Sequence, residues 1–173
     1  MVLDQAERLS PDVEIRFAAL THDLGKGSTP KEKLPSHPGH EIRGVNLIRR
    51  LDGRLPLPKS CRDLAIIAAE FHTHCHRAME LKSQTITKLF EKCDAFRRPE
   101  RFEQFLITCE ADARGREGLE NRPYPQADFL RKALAAACSI NTADIAAQHS
   151  GSKIPAAIRT ARQQAIADFK KSA

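Results

Sequence analysis

Residues 13–25 read VEIRFAALTHDLG. Their apolar members Val13, Phe17, Leu20 and Leu24 recur every three or four residues, a spacing that places them along one face of an α-helix. Gly25 follows, and glycine commonly ends a helix. The stretch therefore predicts a helix whose last turn carries an adjacent histidine and aspartate.

The same helical spacing recurs along the rest of the chain. No segment alternates with the period of two that is typical of a β-strand. The composition agrees, because the 173 residues include one Tyr and no Trp, aromatic residues that strands favour. The sequence predicts an all-α fold of seven or eight helices. Beyond the first helix, the apolar or capped segments begin near Ile42, Leu64, Ile86, Phe102, Phe129, Asn141 and Ile154.

The length and the net charge of the chain restrict its domain organisation and its binding partners. A chain of 173 residues is long enough for one domain, and a change of composition at 123–125 predicts a core over 1–122 and a small C-terminal helical extension over 123–173. The formal charge of +6 favours a polyanionic partner.

No apolar run is long enough to span a membrane and the N-terminus lacks signal-peptide features, so we expect a cytoplasmic protein with no membrane partner. The five cysteines fit no zinc pattern and predict reduced, mostly buried thiols.

Histidines carry the main chemical signal. Six of the seven lie between His22 and His76. The His22-Asp23 pair follows a predicted helix, and imidazole with carboxylate is a ligand set for divalent metals. Taken alone, such a dipeptide is more often a solvated helix end or a local ion pair.

The polar loop over 25–39 offers further candidates. Lys26 lies between two glycines, where backbone amides and an ammonium group can hold a phosphate. His37 and His40 are three residues apart and share a face if the next helix begins that early. We expect these two histidines to bind a second metal or a substrate phosphate.

Four separate segments together resemble the HD phosphohydrolase superfamily: THDLGKG at 21–27, HPGHEIRG at 37–44, EFHTHCH at 70–76 and EADARGR at 110–116. The resemblance implies an HD-domain helical bundle. It also implies that His22, Asp23 and Asp112 bind a divalent metal such as Ni²⁺, Mg²⁺ or Mn²⁺, with His40 and His72 as auxiliary histidines.

A narrower resemblance covers nearly the whole chain. Residues 16–51, 111–118 and 149–169 are similar to the HD region of bacterial CCA-adding enzymes, which are tRNA nucleotidyltransferases. That family implies metal-dependent hydrolysis of 2′,3′-cyclic phosphates, 2′-nucleotides and other phosphomonoesters, with a helical tail that helps to hold tRNA. The nucleotidyltransferase head expected in the full-length protein is not in this sequence, so CCA addition is not assigned to it.

One departure from the superfamily pattern concerns the metal. The pattern includes a further histidine before His22, but residues 1–21 contain none. We therefore expect three protein ligands and weaker metal binding.

The remaining expectations concern catalysis and RNA. His72 and Lys26, together with His22 and Asp23, form the predicted catalytic set, in which the first two neutralise developing charge or protonate a leaving ribose oxygen. Arg43 begins a basic stretch that suits a nucleotide phosphate, although a solvated helix face is an equally good interpretation. The predicted contacts to tRNA are Arg49, Arg50, Lys153, Arg159 and Arg162.

Two other interpretations stay open. The chain could be a non-catalytic helical tRNA-binding module with a degenerate HD site. It could also be an HD hydrolase of dNTPs or alarmones, which the resemblance of the tail to the tRNA enzymes disfavours. A homodimer is compatible with the sequence.

Overall fold

The computed structural model describes residues 1–172, and within this range the chain forms α-helices and short 3-10 turns but no strand. The all-α prediction is confirmed. The 3-10 turns cover Leu24–Ser28, Lys31–Lys33 and Ala78–Glu80. The nine helices within residues 1–172 are α1 (Val2–Leu9), α2 (Val13–Thr21), α3 (His40–Asp52), α4 (Lys59–His76), α5 (Ser83–Lys92), α6 (Pro99–Arg114), α7 (Pro125–Cys138), α8 (Thr142–Ala147) and α9 (Lys153–Ser172).

The helix starts follow local chemistry. Pro99 and Pro125 stand at the first positions of α6 and α7, where the missing backbone N–H costs nothing. Asn141 caps α8 as predicted, because its side-chain oxygen accepts from the backbone N–H groups of Ala143 at 3.1 Å and Asp144 at 3.3 Å. Helix α1 was not predicted; its buried residues are only Gln5 and Ala6, so its apolar stripe is narrow.

Helix α4 is the centre of the bundle and packs against α2, α3 and α6. The main core includes Leu64 of α4, Phe90 of α5 and Phe105 of α6, all with no exposed surface. Phe90 also meets Phe102 edge to face, with 5.3 Å between the ring centroids. Burying these rings holds α5 and α6 against α4.

A smaller apolar cluster, formed by Val45, Ile48, Ala65 and Ala69, attaches α3 to α4. The chain after α2 also approaches α3 very closely: a Cβ on Gly25 would lie 2.0 Å from the backbone oxygen of His40. These contacts bring the end of α2, the start of α3 and the last turns of α4 to one place.

The C-terminal helices share the main core. Leu130 of α7 and Ile166 of α9 are fully buried in the same cluster as Phe105, and α9 packs against both α5 and α7. A boundary between 122 and 123 stays a prediction. Of the described helices, none is both long and apolar enough to cross a membrane. All five cysteines are free and four are buried, in agreement with the prediction.

Candidate metal centre

His22 lies at the end of α2, and its two ring nitrogens have different neighbours. Its Nδ1 is 2.8 Å from the carbonyl oxygen of Ala19, and because a carbonyl only accepts, Nδ1 donates. Its Nε2 lies 3.3 Å from Oδ2 of Asp23 and 3.4 Å from Oδ1 of Asp112. Nε2 is buried and has no hydrogen-bond partner among the described residues. This nitrogen therefore lies between two carboxylates, where a metal cation that displaces its proton could bind.

The charged groups around His22 shift one another's pKa values strongly. Burial by itself lowers the pKa of His22, but the carboxylates of Asp112 and Asp23 outweigh it and raise the pKa to about 10. The pKa values of Asp23 and Asp112 lie well below the usual carboxyl range, because the contacts with the surrounding histidines outweigh the desolvation that would raise them. Two ionised carboxylates thus face one imidazole, and their negative charge stabilises a positive charge at this position, either a proton on His22 or a metal ion that replaces it.

His40 and His72 approach the same aspartate from α3 and α4. Their Nδ1 atoms donate to the carbonyl oxygens of His37 and Ala68, each at 2.9 Å. Their Nε2 atoms lie 3.3 Å apart, and each is 3.5 Å from Oδ1 of Asp23. Asp23, His40 and His72 each offer a ligand atom, and these atoms all lie within 4.8 Å of one another.

This donor set fits a divalent cation. Because Nδ1 of each ring donates to a carbonyl, Nε2 is the atom of His40 and of His72 that remains for a ligand, and both Nε2 atoms face the same point. A metal cation at that point could accept a lone pair from each ring. Oδ1 of Asp23 is also buried without a hydrogen-bond partner among the described residues. A cation bound here would satisfy all three atoms, and imidazole with carboxylate suits Mn²⁺, Ni²⁺ and related ions.

Asp112 is held in place by His76, a histidine that the sequence analysis did not include in the site. Helix α4 continues through His76, whose Nε2 donates to Oδ2 of Asp112 at 2.8 Å. The Nδ1 of His76 lies 2.9 Å from the hydroxyl of Tyr124. The signal was present in the sequence, because His72 and His76 are four residues apart and share a helix face.

Lys26 lies beside Asp23 and not in a separate phosphate-binding loop. Its Nζ is 2.6 Å from Oδ2 of Asp23, and its side chain is 38% exposed. The ammonium group can therefore neutralise the aspartate while one side faces solvent. His37 does not share the cluster of Asp23, His40 and His72: its Nδ1 bonds to the hydroxyl of Thr29 at 2.8 Å, and its carbonyl orients His40.

Arg43 is occupied by the loop that precedes it. Its guanidinium group donates to the carbonyl oxygen of Pro38 at 2.6 Å and to the hydroxyl groups of Ser28 and Thr29 at 3.1 and 3.0 Å. A further bond reaches the carbonyl oxygen of Gly25 at 3.3 Å. These bonds close the loop over 25–39 around the start of α3, so Arg43 positions the segment that carries His40.

The predicted RNA contacts fall into two groups. Arg49, Arg50 and Lys153 are exposed and form no ion pair with a described residue. Arg159 pairs with Glu91 at 3.0 Å, and the guanidinium carbon of Arg162 lies 3.6 Å from the centre of the Phe96 ring. The latter two side chains attach α9 to the bundle.

The chain belongs to the HD-domain family, because the family model described as "HD domain" matches residues 1–96. The family predicted from the four histidine and aspartate segments is confirmed. No solved structure matches the chain.

The curated proteins that match are named Multifunctional CCA protein. That of Hahella chejuensis is 51% identical over 172 residues, which are 99% of this chain and 41% of that protein. That of Thioalkalivibrio sulfidiphilus is 54% identical over 171 residues, or 98% of this chain and 42% of that protein. The chain therefore spans about two fifths of the length of these relatives.

Proposed function

We propose that this chain is a metal-dependent phosphohydrolase domain that acts on 2′,3′-cyclic phosphates, 2′-nucleotides and other phosphomonoesters in the repair or maturation of tRNA 3′ ends. The observation that carries the proposal is the meeting of His22, Asp23 and Asp112 around one buried nitrogen. The relatives named Multifunctional CCA protein support the link to tRNA.

The residues proposed to hold the metal are His22, Asp23 and Asp112, with His40 and His72 around the other oxygen of Asp23. This larger set supplements the three ligands expected from the sequence. When bound, a divalent cation would polarise a phosphoryl oxygen and lower the pKa of a water molecule toward neutrality.

The chain's own side chains would supply orientation and charge balance. Each of His22, His40 and His72 donates Nδ1–H to a backbone carbonyl, which fixes the ring direction before any ligand arrives. Lys26 is half-exposed beside Asp23, so its ammonium group could turn from the carboxylate to a substrate phosphate oxygen. His72 has only Nε2 available, and that atom faces Asp23, so metal binding suits it better than proton donation.

The proposed tRNA contact rests on exposed cations. Arg49 and Arg50 lie in the last turn of α3, and Lys153 begins α9. None forms an ion pair with a described residue, so all three are available for phosphate groups of the RNA backbone. Such binding is expected to weaken steeply as the salt concentration rises.

The decisive experiment measures release of 3′-AMP or 2′-AMP from 2′,3′-cyclic AMP by the purified chain with Ni²⁺, Mn²⁺ or Mg²⁺ added. We expect metal-stimulated turnover that His22→Ala and Asp23→Asn abolish. His149→Ala is the matched control, because His149 is exposed and lies outside the site.

The alternative is a non-catalytic tRNA-binding module. It predicts salt-sensitive binding of tRNA with no turnover under any of the three metals. That result would overturn the hydrolase proposal.

A further inference from the structure

A cavity of about 590 Å³ lies beside Asp112. It shares His76 and Asp112 with the candidate metal centre and is otherwise lined by the segment after α6 and the start of α7. This volume is typical of a small-molecule or cofactor site. A ligand in the cavity would therefore be a direct neighbour of a group bound at His22 and Asp23.

The lining is positively charged. It contains Arg114, Arg116 and Arg122, whereas its one acidic residue, Asp112, is already engaged by His76 and His22. Arg116 and Arg122 are exposed and form no ion pair with a described residue. Two guanidinium groups without a carboxylate partner favour an anion, and their planar donors match phosphate oxygens.

The segment that carries these arginines is held in a defined shape. Arg114 pairs with Glu110 at 2.8 Å and donates through Nε to the carbonyl oxygen of Arg122 at 2.9 Å. Backbone bonds join Leu119 to Arg116 and Arg122 to Leu119, each at 3.0 Å. The two free guanidinium groups therefore project from a preorganised loop, which reduces the entropy lost when a ligand binds.

The remaining walls suit a nucleoside. Leu119, Pro123 and Pro125 provide an apolar surface. Gln126 lines the same cavity, and its Oε1 is buried without a hydrogen-bond partner among the described residues. An amino or hydroxyl group of a ligand would satisfy this oxygen.

We infer that this cavity binds the second phosphate, with its adjoining nucleoside, of an RNA strand whose terminal phosphate lies at the metal centre. The inference rests on the proposed function. A nucleoside 2′,3′-cyclic phosphate has one phosphate and cannot occupy both positions, whereas an RNA 3′ end supplies a phosphodiester next to the terminal group. The substrate class is therefore an RNA 3′ end, with Arg116 and Arg122 as the residues that select it.

The test compares 2′,3′-cyclic AMP with a ribo-trinucleotide that ends in a 2′,3′-cyclic phosphate. The wild-type chain is expected to show a higher kcat/KM for the trinucleotide, and in the Arg116→Ala/Arg122→Ala variant the ratio of the two kcat/KM values falls about tenfold. The control is Lys88→Ala/Lys132→Ala, which removes the same charge from exposed positions outside the cavity. Its ratio is expected to equal that of the wild type.

A binding measurement separates this inference from the proposed function. The dissociation constant of a fluorescent trinucleotide 3′-phosphate, measured with a chelator so that no turnover occurs, should rise about tenfold in the arginine variant but not in the lysine variant. If the wild-type chain turned over neither substrate, but the dissociation constant rose in the arginine variant and not in the lysine variant, the hydrolase proposal would be refuted. The assignment of the cavity as an RNA-binding site would stand. Equal ratios for wild type and arginine variant, together with equal dissociation constants, would overturn the cavity assignment. Equal losses in the arginine and lysine variants would overturn it as well, since they would indicate general charge attraction.

Discussion

Nε2 of His22 lies 3.4 Å from Oδ1 of Asp112, although one residue follows α2 and the other belongs to α6. Both helices pack on α4, which supplies His72 and His76 to the same place. The site is thus assembled by tertiary packing, and each of its carboxylates has a histidine that holds it in position.

Replacing Asp112 with asparagine tests its role as a ligand. Asparagine keeps the size of the side chain but removes the negative charge beside His22, so we expect the affinity for Mn²⁺ to fall about 100-fold. Isothermal titration calorimetry measures this directly. Asp128→Asn is the control, because Asp128 is exposed at the start of α7. Equal Mn²⁺ affinity in the wild type and the Asp112 variant would remove Asp112 from the ligand set.

The sequence predicted the described helices other than α1, and the HD family, because both depend on local patterns. Spacing of apolar residues identified α2, and His22-Asp23 could be identified from adjacent letters. The role of His76 was missed because it depends on how far α4 continues and on which helix faces it. The hydrogen bonds of Arg43 could not be predicted from the sequence either, since its bonds to Ser28 and Pro38 exist only after the loop has closed.

His76 is expected to support metal binding without contacting the metal. Its Nε2 bond to Asp112 fixes the carboxylate, and loss of such an outer partner typically costs 10–100-fold in metal affinity. His76→Ala should therefore weaken Mn²⁺ binding within that range, whereas His149→Ala should have no effect. A loss of helical circular dichroism in His76→Ala would instead assign the residue to folding.

Two glycines in the loop after α2 should respond differently to alanine. A Cβ at Gly25 would lie 2.0 Å from the oxygen of His40 and 2.5 Å from the nitrogen of Gly44, both backbone atoms that cannot move aside cheaply. We expect Gly25→Ala to lower the free energy of unfolding by about 2–3 kcal/mol. Gly27 has nothing within 4 Å of the same position, so Gly27→Ala should change it by less than about 1 kcal/mol. Urea denaturation measures both, and equal effects would contradict the close approach of Gly25 to α3.

The affinity for metal should rise with pH above neutrality. The carboxylates of Asp112 and Asp23 outweigh burial and raise the pKa of His22 to about 10, so the metal-free imidazole still carries its Nε2 proton at pH 8. A metal must displace that proton, and an ordinary imidazole is already neutral in this range. The dissociation constant for Mn²⁺ should therefore fall about tenfold between pH 7.5 and 8.5.

The sign of this effect follows from where the proton is held. A raised pKa in the folded, metal-free state stabilises that state at lower pH, and this stabilisation is lost as the pH rises through about 10. Metal therefore competes with the proton less as the pH increases. His22→Asn has no proton to displace, so its weaker Mn²⁺ binding should be almost independent of pH over the same interval. A flat profile for the wild-type chain would show that the metal does not replace a proton on His22.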